Sequence, residues 1–183
     1  ESTVRCCTQN GVRGGSATVH FPIWHQEIED ILVLKNNKGS EDNRVRKLDY
    51  SIQISKLFYE RFLRNEDISL FSPHEVPFLY DAFGTNEFDE LYKKYERAYS
   101  IPKTKVNAQE LFMKLLKERA ETGRIYIMNI DHCNSHSSFL QDEAKVNMSN
   151  LCQEITLPTT PLSSQHDEDG EIALCILSAI NIG

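Results

Sequence analysis

The stretch from Asn107 to Ile130 constrains the fold of this chain more than any other. Asn107 with Glu110 marks a helix start, Leu111, Phe112, Leu115 and Leu116 recur at helical spacing, and Gly123 supplies a stop. Directly beyond that glycine the period changes. Arg124-Ile125-Tyr126-Ile127-Met128-Asn129-Ile130 has the length and composition of a buried strand. A helix that hands over at once to a buried strand belongs in a sheet covered by helices, so the expected class is α/β.

The same alternation runs through the rest of the chain. The β-leaning Ser16-Ala17-Thr18-Val19-His20-Phe21 precedes Trp24, Ile28, Ile31 and Leu32, one stripe of an amphipathic helix that Gly39 terminates. Leu57, Phe58, Arg61 and Phe62 predict a second helix, followed by the short strand-like Ile68-Ser69-Leu70-Phe71. Ser72-Pro73-His74-Glu75 predicts a helix start, with Ser72 as cap, Pro73 in the first position and Gly84 as the stop. Asn86 opens a further helix carrying Phe88, Leu91, Tyr92 and Tyr95, whose tyrosines read as packing. Residues 131–150 are polar, and the final apolar run, Glu171 to Ile180, is strand-like in length. No repeat or linker divides the chain.

Composition removes several function classes. With 183 residues, 40% of them hydrophobic, the chain has the material for one domain with a real core. Twenty basic against 27 acidic side chains give a net charge of −7, which offers no cationic footprint for nucleic acid or an anionic membrane. No run approaches the about 18 apolar residues of a membrane span, and the first residues lack a secretory plan, so a cytoplasmic location is expected. The absence of an initiator Met and the strand-like run before Gly183 suggest a portion of something larger. Five cysteines, Cys6, Cys7, Cys133, Cys152 and Cys175, are an odd number that favours reduced thiols. Cys133, His136 and Cys6 or Cys7 could build a zinc-stabilised interaction domain, but no second Cys-x-x-Cys pair supports it, and no metal ligand is assigned.

Around Cys152 the chain reads Asn150-Leu151-Cys152-Gln153-Glu154-Ile155, with Pro158 closing off any helix. In an extended chain Asn150, Cys152 and Glu154 project from one face, while Gln153 lies on the other with little expected effect on chemistry. An amide, a thiol and a carboxylate together supply a hydrogen-bonding group, a sulfur and a proton acceptor. The alternative is a solvated loop with one packed cysteine.

An ordered set of motifs decides between them. Asn150-Leu151-Cys152-x-Glu154-Ile155, Gly170-Glu171-Ile172-Ala173-Leu174-Cys175, Gly123-Arg124-Ile125-Tyr126-Ile127 with Asp131-His132-Cys133-Asn134, and Gly11-Val12-Arg13-Gly14-Gly15 resemble the large (alpha) subunit of class I ribonucleoside-diphosphate reductase. Leu34-Lys35-Asn36-Asn37 and Leu70-Phe71-Ser72-Pro73-His74 extend the resemblance through essentially the whole chain.

The resemblance implies part of a ten-stranded α/β barrel with an internal finger loop. Residues 1–16 would form the specificity loop region, 132–157 the finger and 171–183 a barrel strand. It implies that Cys152 at the finger tip is the thiyl site, that Glu154 accepts the 3′-hydroxyl proton, that Asn150 orients the ribose, and that Cys175 is one of two reducing thiols. Gln9, Arg13, Gly14 and Gly15 would lie in the loop linking effector to substrate base, and Asn10 stands there where relatives often have Gly.

No cofactor is expected on this segment itself. A small metal-containing beta subunit would supply the radical, dNTP or ATP would act as effectors, and a thioredoxin or glutaredoxin type protein would be the reductant. The substrate would be a ribonucleoside diphosphate, and the remaining alpha segments would be partners. The second reducing thiol, the substrate-phosphate loop, the radical-passing tyrosines and the C-terminal cysteine pair have no match here, so the isolated chain is expected to be inactive. A non-catalytic nucleotide-binding fragment of the same fold is the alternative.

Overall fold

The structure is a computed structural model describing residues 1–183. Its helices are α1 (Ser2–Cys6), α2 (Ile28–Leu32), α3 (Lys56–Arg64), α4 (Pro77–Ala82), α5 (Phe88–Arg97), α6 (Ala108–Thr122) and α7 (Ile130–Ser135). Its strands are β1 (Thr18–Pro22), β2 (Asp49–Ile54), β3 (Asp67–Leu70), β4 (Thr104–Asn107) and β5 (Ile125–Asn129).

Three strands form the main sheet in the order β1-β2-β5, both pairings parallel. Parallel neighbours need long crossovers, and these carry the helices. Alternation along each strand then sorts the residues onto two faces. Val19, Phe21, Tyr50, Ile52, Ile54, Ile125 and Ile127 pack against Ile28, Ile31 and Leu32 of α2, Phe58 of α3, and Leu111 and Leu115 of α6. The opposite face carries Thr18, His20, Asp49, Ser51, Gln53, Tyr126 and Met128, with Ser51 paired to His20 on one side and Tyr126 on the other.

A second cluster joins Trp24, Phe71, Val76, Leu79, Phe83, Phe88, Tyr92, Met128, Ile130 and Val146. It rests on the antiparallel β3-β4 pair, where the Tyr92 hydroxyl donates to Ser69 O at 2.6 Å and accepts from Ser69 N at 2.8 Å. Beside it Arg61 grips Glu96 with two nitrogens at 2.7 and 2.5 Å.

Local signals fixed α6 as expected. Asn107 Oδ1 accepts from Gln109 N at 3.0 Å and Glu110 N at 3.2 Å, and Gly123 at φ +67° ends the helix in the left-handed region. Elsewhere tertiary contacts displaced the predicted boundaries. Trp24 is buried, but in the turn before a one-turn α2. Hydrogen bonds from Phe71 N to Trp24 O and from Gln26 N to Phe71 O, both 2.8 Å, hold the chain against that turn. The Ser72 to Glu75 segment then makes only a turn, because buried Val76 sits at φ −132°, and α4 begins at Pro77. Strands β2 and β4 and helix α7 lie where the sequence reading placed no element. Helix α7 exists because Ile130 and Asn134 are buried, with Asn134 bridging to Val146 N at 2.8 Å and Val146 O at 3.0 Å.

Residues 171–183, read as a barrel strand, pair with nothing in this chain beyond a single antiparallel bridge, Thr160 to Glu171. Their apolar side chains, Ile172 through Ile182, are between 68% and 96% exposed. An apolar run of strand length becomes a strand only beside an edge that takes its N–H and C=O groups, and no strand edge of this chain lies alongside it.

Candidate active site

The residues that carry the site lie on the polar face of the main sheet, and the 147–155 segment runs across it. Gln53 Nε2 donates to Asn147 O at 2.6 Å, and Thr18 Oγ1 donates to Leu151 O at 2.5 Å. Two strands thus hold the segment before it reaches its tip.

The tip is a closed turn, which corrects the extended reading. Gln153 N donates to Asn150 O at 3.2 Å, Ile155 N to Asn150 Oδ1 at 3.0 Å, and Ser149 Oγ to Ile155 O at 2.5 Å. Gln153 sits at φ +66°, in the left-handed region. The one-face argument for Asn150, Cys152 and Glu154 therefore does not apply. Cys152 and Glu154 stand exposed at the turn, while Asn150 closes its base with its side-chain oxygen and keeps its amide N–H groups unengaged.

Gln153 points away from the exposed Cys152 and Glu154, as expected. Its Oε1 accepts from the Ser51 hydroxyl and its Nε2 donates to Ile127 O at 2.7 Å, so it faces the sheet and ties the turn to β2 and β5. Tyr126 lies beside Cys152; desolvation, and after it the neighbouring thiol, raises the pKa of its phenol. Under the same segment the His20 ring nitrogens are buried and complete no hydrogen bond. Burial lowers the His20 pKa, opposed by the nearby Ser149 backbone.

These partners, Thr18, His20, Ser51, Tyr126 and Gln153, were missed by sequence reasoning. A signal was present for β2: Asp49, Ser51 and Gln53 alternate with Tyr50, Ile52 and Ile54, the pattern of a strand whose second face meets something polar.

The Thr160 to Glu171 bridge turns the chain back, with hydrogen bonds of 3.2 and 2.9 Å. As a result Asn150 and Cys175 line one cavity of about 240 Å³, together with Met148, Ile155, Leu157, Ile172 and Leu174. Cys152 and Glu154 are not among its lining residues.

The glycine-rich loop is a separate feature. Asn10 at φ +52° and Gly11 at φ +71° take the two central positions of a turn closed by Val12 N to Gln9 O at 3.1 Å. Both positions require positive φ, as in the hairpin turns that favour Asn-Gly. A Cβ on Gly15 would fall within 2.5 Å of the Val4 and Cys7 carbonyl oxygens, so that glycine permits a close approach to the end of α1. Gln9 and Arg13 form a bridge and both are exposed, as is Gly14.

No group of three or more His, Cys, Asp or Glu side chains is placed to hold a metal ion; Cys6 and Cys7 are exposed and Cys133 is half-buried. No helix is long and apolar enough to cross a membrane.

A parallel sheet coated with helices on one face and carrying a cysteine-tipped loop on the other belongs to the α/β class. The family model for the ribonucleotide reductase barrel domain matches residues 1–183, and the chain belongs to that family. It is 57% identical over 185 aligned residues to the ribonucleoside-diphosphate reductase subunit alpha of Buchnera aphidicola subsp. Baizongia pistaciae, covering 100% of this chain and 24% of that protein. The Escherichia coli K12 ribonucleoside-diphosphate reductase 1 subunit alpha is 58% identical over 165 residues, 89% of this chain and 22% of its own length. The Arabidopsis thaliana large subunit of the same name is 38% identical over 170 residues, 93% of this chain and 20% of its own. The chain thus spans about a quarter of the length of the curated relatives it matches.

Proposed function

We propose that this chain is the central catalytic portion of a ribonucleoside-diphosphate reductase alpha chain, working with segments supplied by the rest of the enzyme. The observation that carries the reading is the cysteine-tipped turn fixed to the polar sheet face, with Asn150 and Cys175 at one cavity beside it.

Loss of a ribose 2′-hydroxyl by simple displacement is hard because hydroxide leaves poorly, and a substrate radical removes that obstacle. A thiyl at Cys152 would take the 3′ hydrogen atom, since S–H and C–H bonds are of comparable strength. Glu154 would accept the 3′-hydroxyl proton as the 2′-oxygen departs as water. The free amide N–H groups of Asn150 would hydrogen-bond the ribose and hold it in register with the sulfur. Cys175 would supply a proton and reducing equivalents, ending as half of a disulfide with a thiol from outside this segment. A small metal-containing beta subunit would generate the radical, and a thioredoxin or glutaredoxin type protein would restore the thiols. Gln9 and Arg13, exposed on the turn at residues 9–13, have the reach to couple a bound dNTP or ATP effector to the substrate base. Such an enzyme would work in the cytoplasm.

The test is Cys152→Ser in a full-length alpha chain assembled with its small subunit. Turnover is abolished while substrate and effector binding stay close to the parent, because a hydroxyl holds its hydrogen too strongly to act as the radical. Appreciable turnover by Cys152→Ser would remove the assignment.

A further inference from the structure

Cys152 is exposed, with Tyr126 beside it, and its backbone position is set by the residues on either side. On one side Thr18 holds the Leu151 carbonyl at 2.5 Å. On the other, both ends of the Gln153 amide are used: the Ser51 hydroxyl donates to Oε1, and Nε2 donates to Ile127 O at 2.7 Å. Ser51 lies on the central strand and is fully buried, and Ile127 belongs to the neighbouring strand. The amide therefore spans two strands of a sheet whose far side is packed core. Gln153 also keeps a left-handed backbone at φ +66°, a conformation that persists only where surrounding contacts over-determine it.

We infer that Gln153 is a positioning residue for the Cys152 thiol, locking the finger tip to the sheet through Ser51 and the Ile127 carbonyl. The inference rests on the proposed role of Cys152. Gln153 touches neither substrate nor reacting atoms; it fixes where the sulfur stands. Hydrogen-atom transfer needs the donor and acceptor in near contact, and a displacement of about 1 Å can cost on the order of 100-fold in rate. Binding of the substrate does not depend on the sulfur's position to that degree. Loss of the clamp should therefore appear in kcat and leave KM nearly alone.

The experiment uses a full-length alpha chain with its small subunit and a ribonucleoside diphosphate. It compares Gln153→Met, which keeps length and removes both hydrogen bonds, with Ser51→Ala and the double variant. Gln153→Met is expected to lower kcat roughly 10- to 100-fold with KM within about twofold. Ser51→Ala should lower it less, and the double variant should be no slower than Gln153→Met alone, since both changes remove one device. A kcat for Gln153→Met within about twofold of the parent overturns the inference, as do losses that multiply in the double variant. Substrate and effector affinities measured alongside report folding, and if Gln153→Met fails to bind, the kcat of Ser51→Ala decides alone. Cys152→Ser in the same assay separates the two readings. If it remains active, the site assignment fails; if it is dead while Gln153→Met runs at the parent rate, the clamp alone is rejected.

Discussion

The two faces of the β1-β2-β5 sheet are built from the same strands and are put to different uses. One is a continuous apolar surface sealed by α2, α3 and α6, and its contacts are the non-directional kind that tolerate small shifts. The other meets the finger through hydroxyl and amide groups with set directions, from Thr18, Ser51 and Gln53. Burial area holds the first face together, whereas direction matters on the second. Hydrogen bonds contribute little net stability and much geometric definition, which suits the role proposed for Cys152, whose sulfur would have to stand at a fixed point.

Adjacent residues of β2 give the sharpest test of this division. Ile52 and Ser51 are both fully buried, one on each face. Ile52→Ala should cost about 2–5 kcal/mol of stability, the usual range for emptying a packed aliphatic site. Ser51→Ala should cost about 1 kcal/mol, that of one lost hydrogen bond, yet lower turnover more than Ile52→Ala does in whatever fraction remains folded. Urea midpoints and kcat of the two full-length variants check the pair. Equal stability losses would erase the distinction between the faces.

A smaller effect is expected at the ends of α6, which lies on the apolar side. Asn107→Ala removes the cap on two backbone N–H groups and should cost about 1 kcal/mol. Gly123→Ala places a side chain at φ +67° and should cost a similar amount, about 1 kcal/mol. Neither variant should change kcat, because neither residue meets the finger. A rate loss at either position, with the stability change confirmed by denaturation, would mean that the two faces are mechanically coupled through β5.

These caps also show what the sequence made legible. Asn107 and Gly123 act through bonds to residues within four positions, so their local spacing was enough to place α6. Helix α3 and strands β1, β3 and β5 were recognisable for the same reason, from apolar patterning over a few residues. The finger turn was not. Gln153 takes its conformation from Ser51, 102 residues earlier, and from Ile127, 26 residues earlier, and no short pattern encodes such partners. The extended reading of Asn150 to Glu154 failed there, where the tip closes on itself through Asn150. The cap signal at Ser72 failed similarly, since Phe71 is held by Trp24 and Gln26 and the next turn is spent accommodating Val76.

The smallest predicted effect concerns His20, the titratable residue beneath the finger. Its ring nitrogens are buried without hydrogen bonds, and burial lowers its pKa below 6.5, with the Ser149 backbone only partly opposing the shift. Well above pH 6.5 neither the folded nor the unfolded chain holds a proton on this ring, and its full contribution to stability is present. As pH falls through that value the unfolded ring takes up its proton first, so the folded state loses ground until the folded ring also titrates. The loss is expected to be small, because a single ring on a half-buried residue is involved. His25 also has a burial-lowered pKa, so the measurement that isolates His20 is a difference. The stability gap between the parent and His20→Phe, followed from pH 7.5 to roughly pH 5, should move in favour of the variant as pH falls. A gap that stays constant, or moves toward the parent, would mean that the His20 ring is protonated as readily under the finger as in the unfolded chain. The polar face would then be open to water at that point.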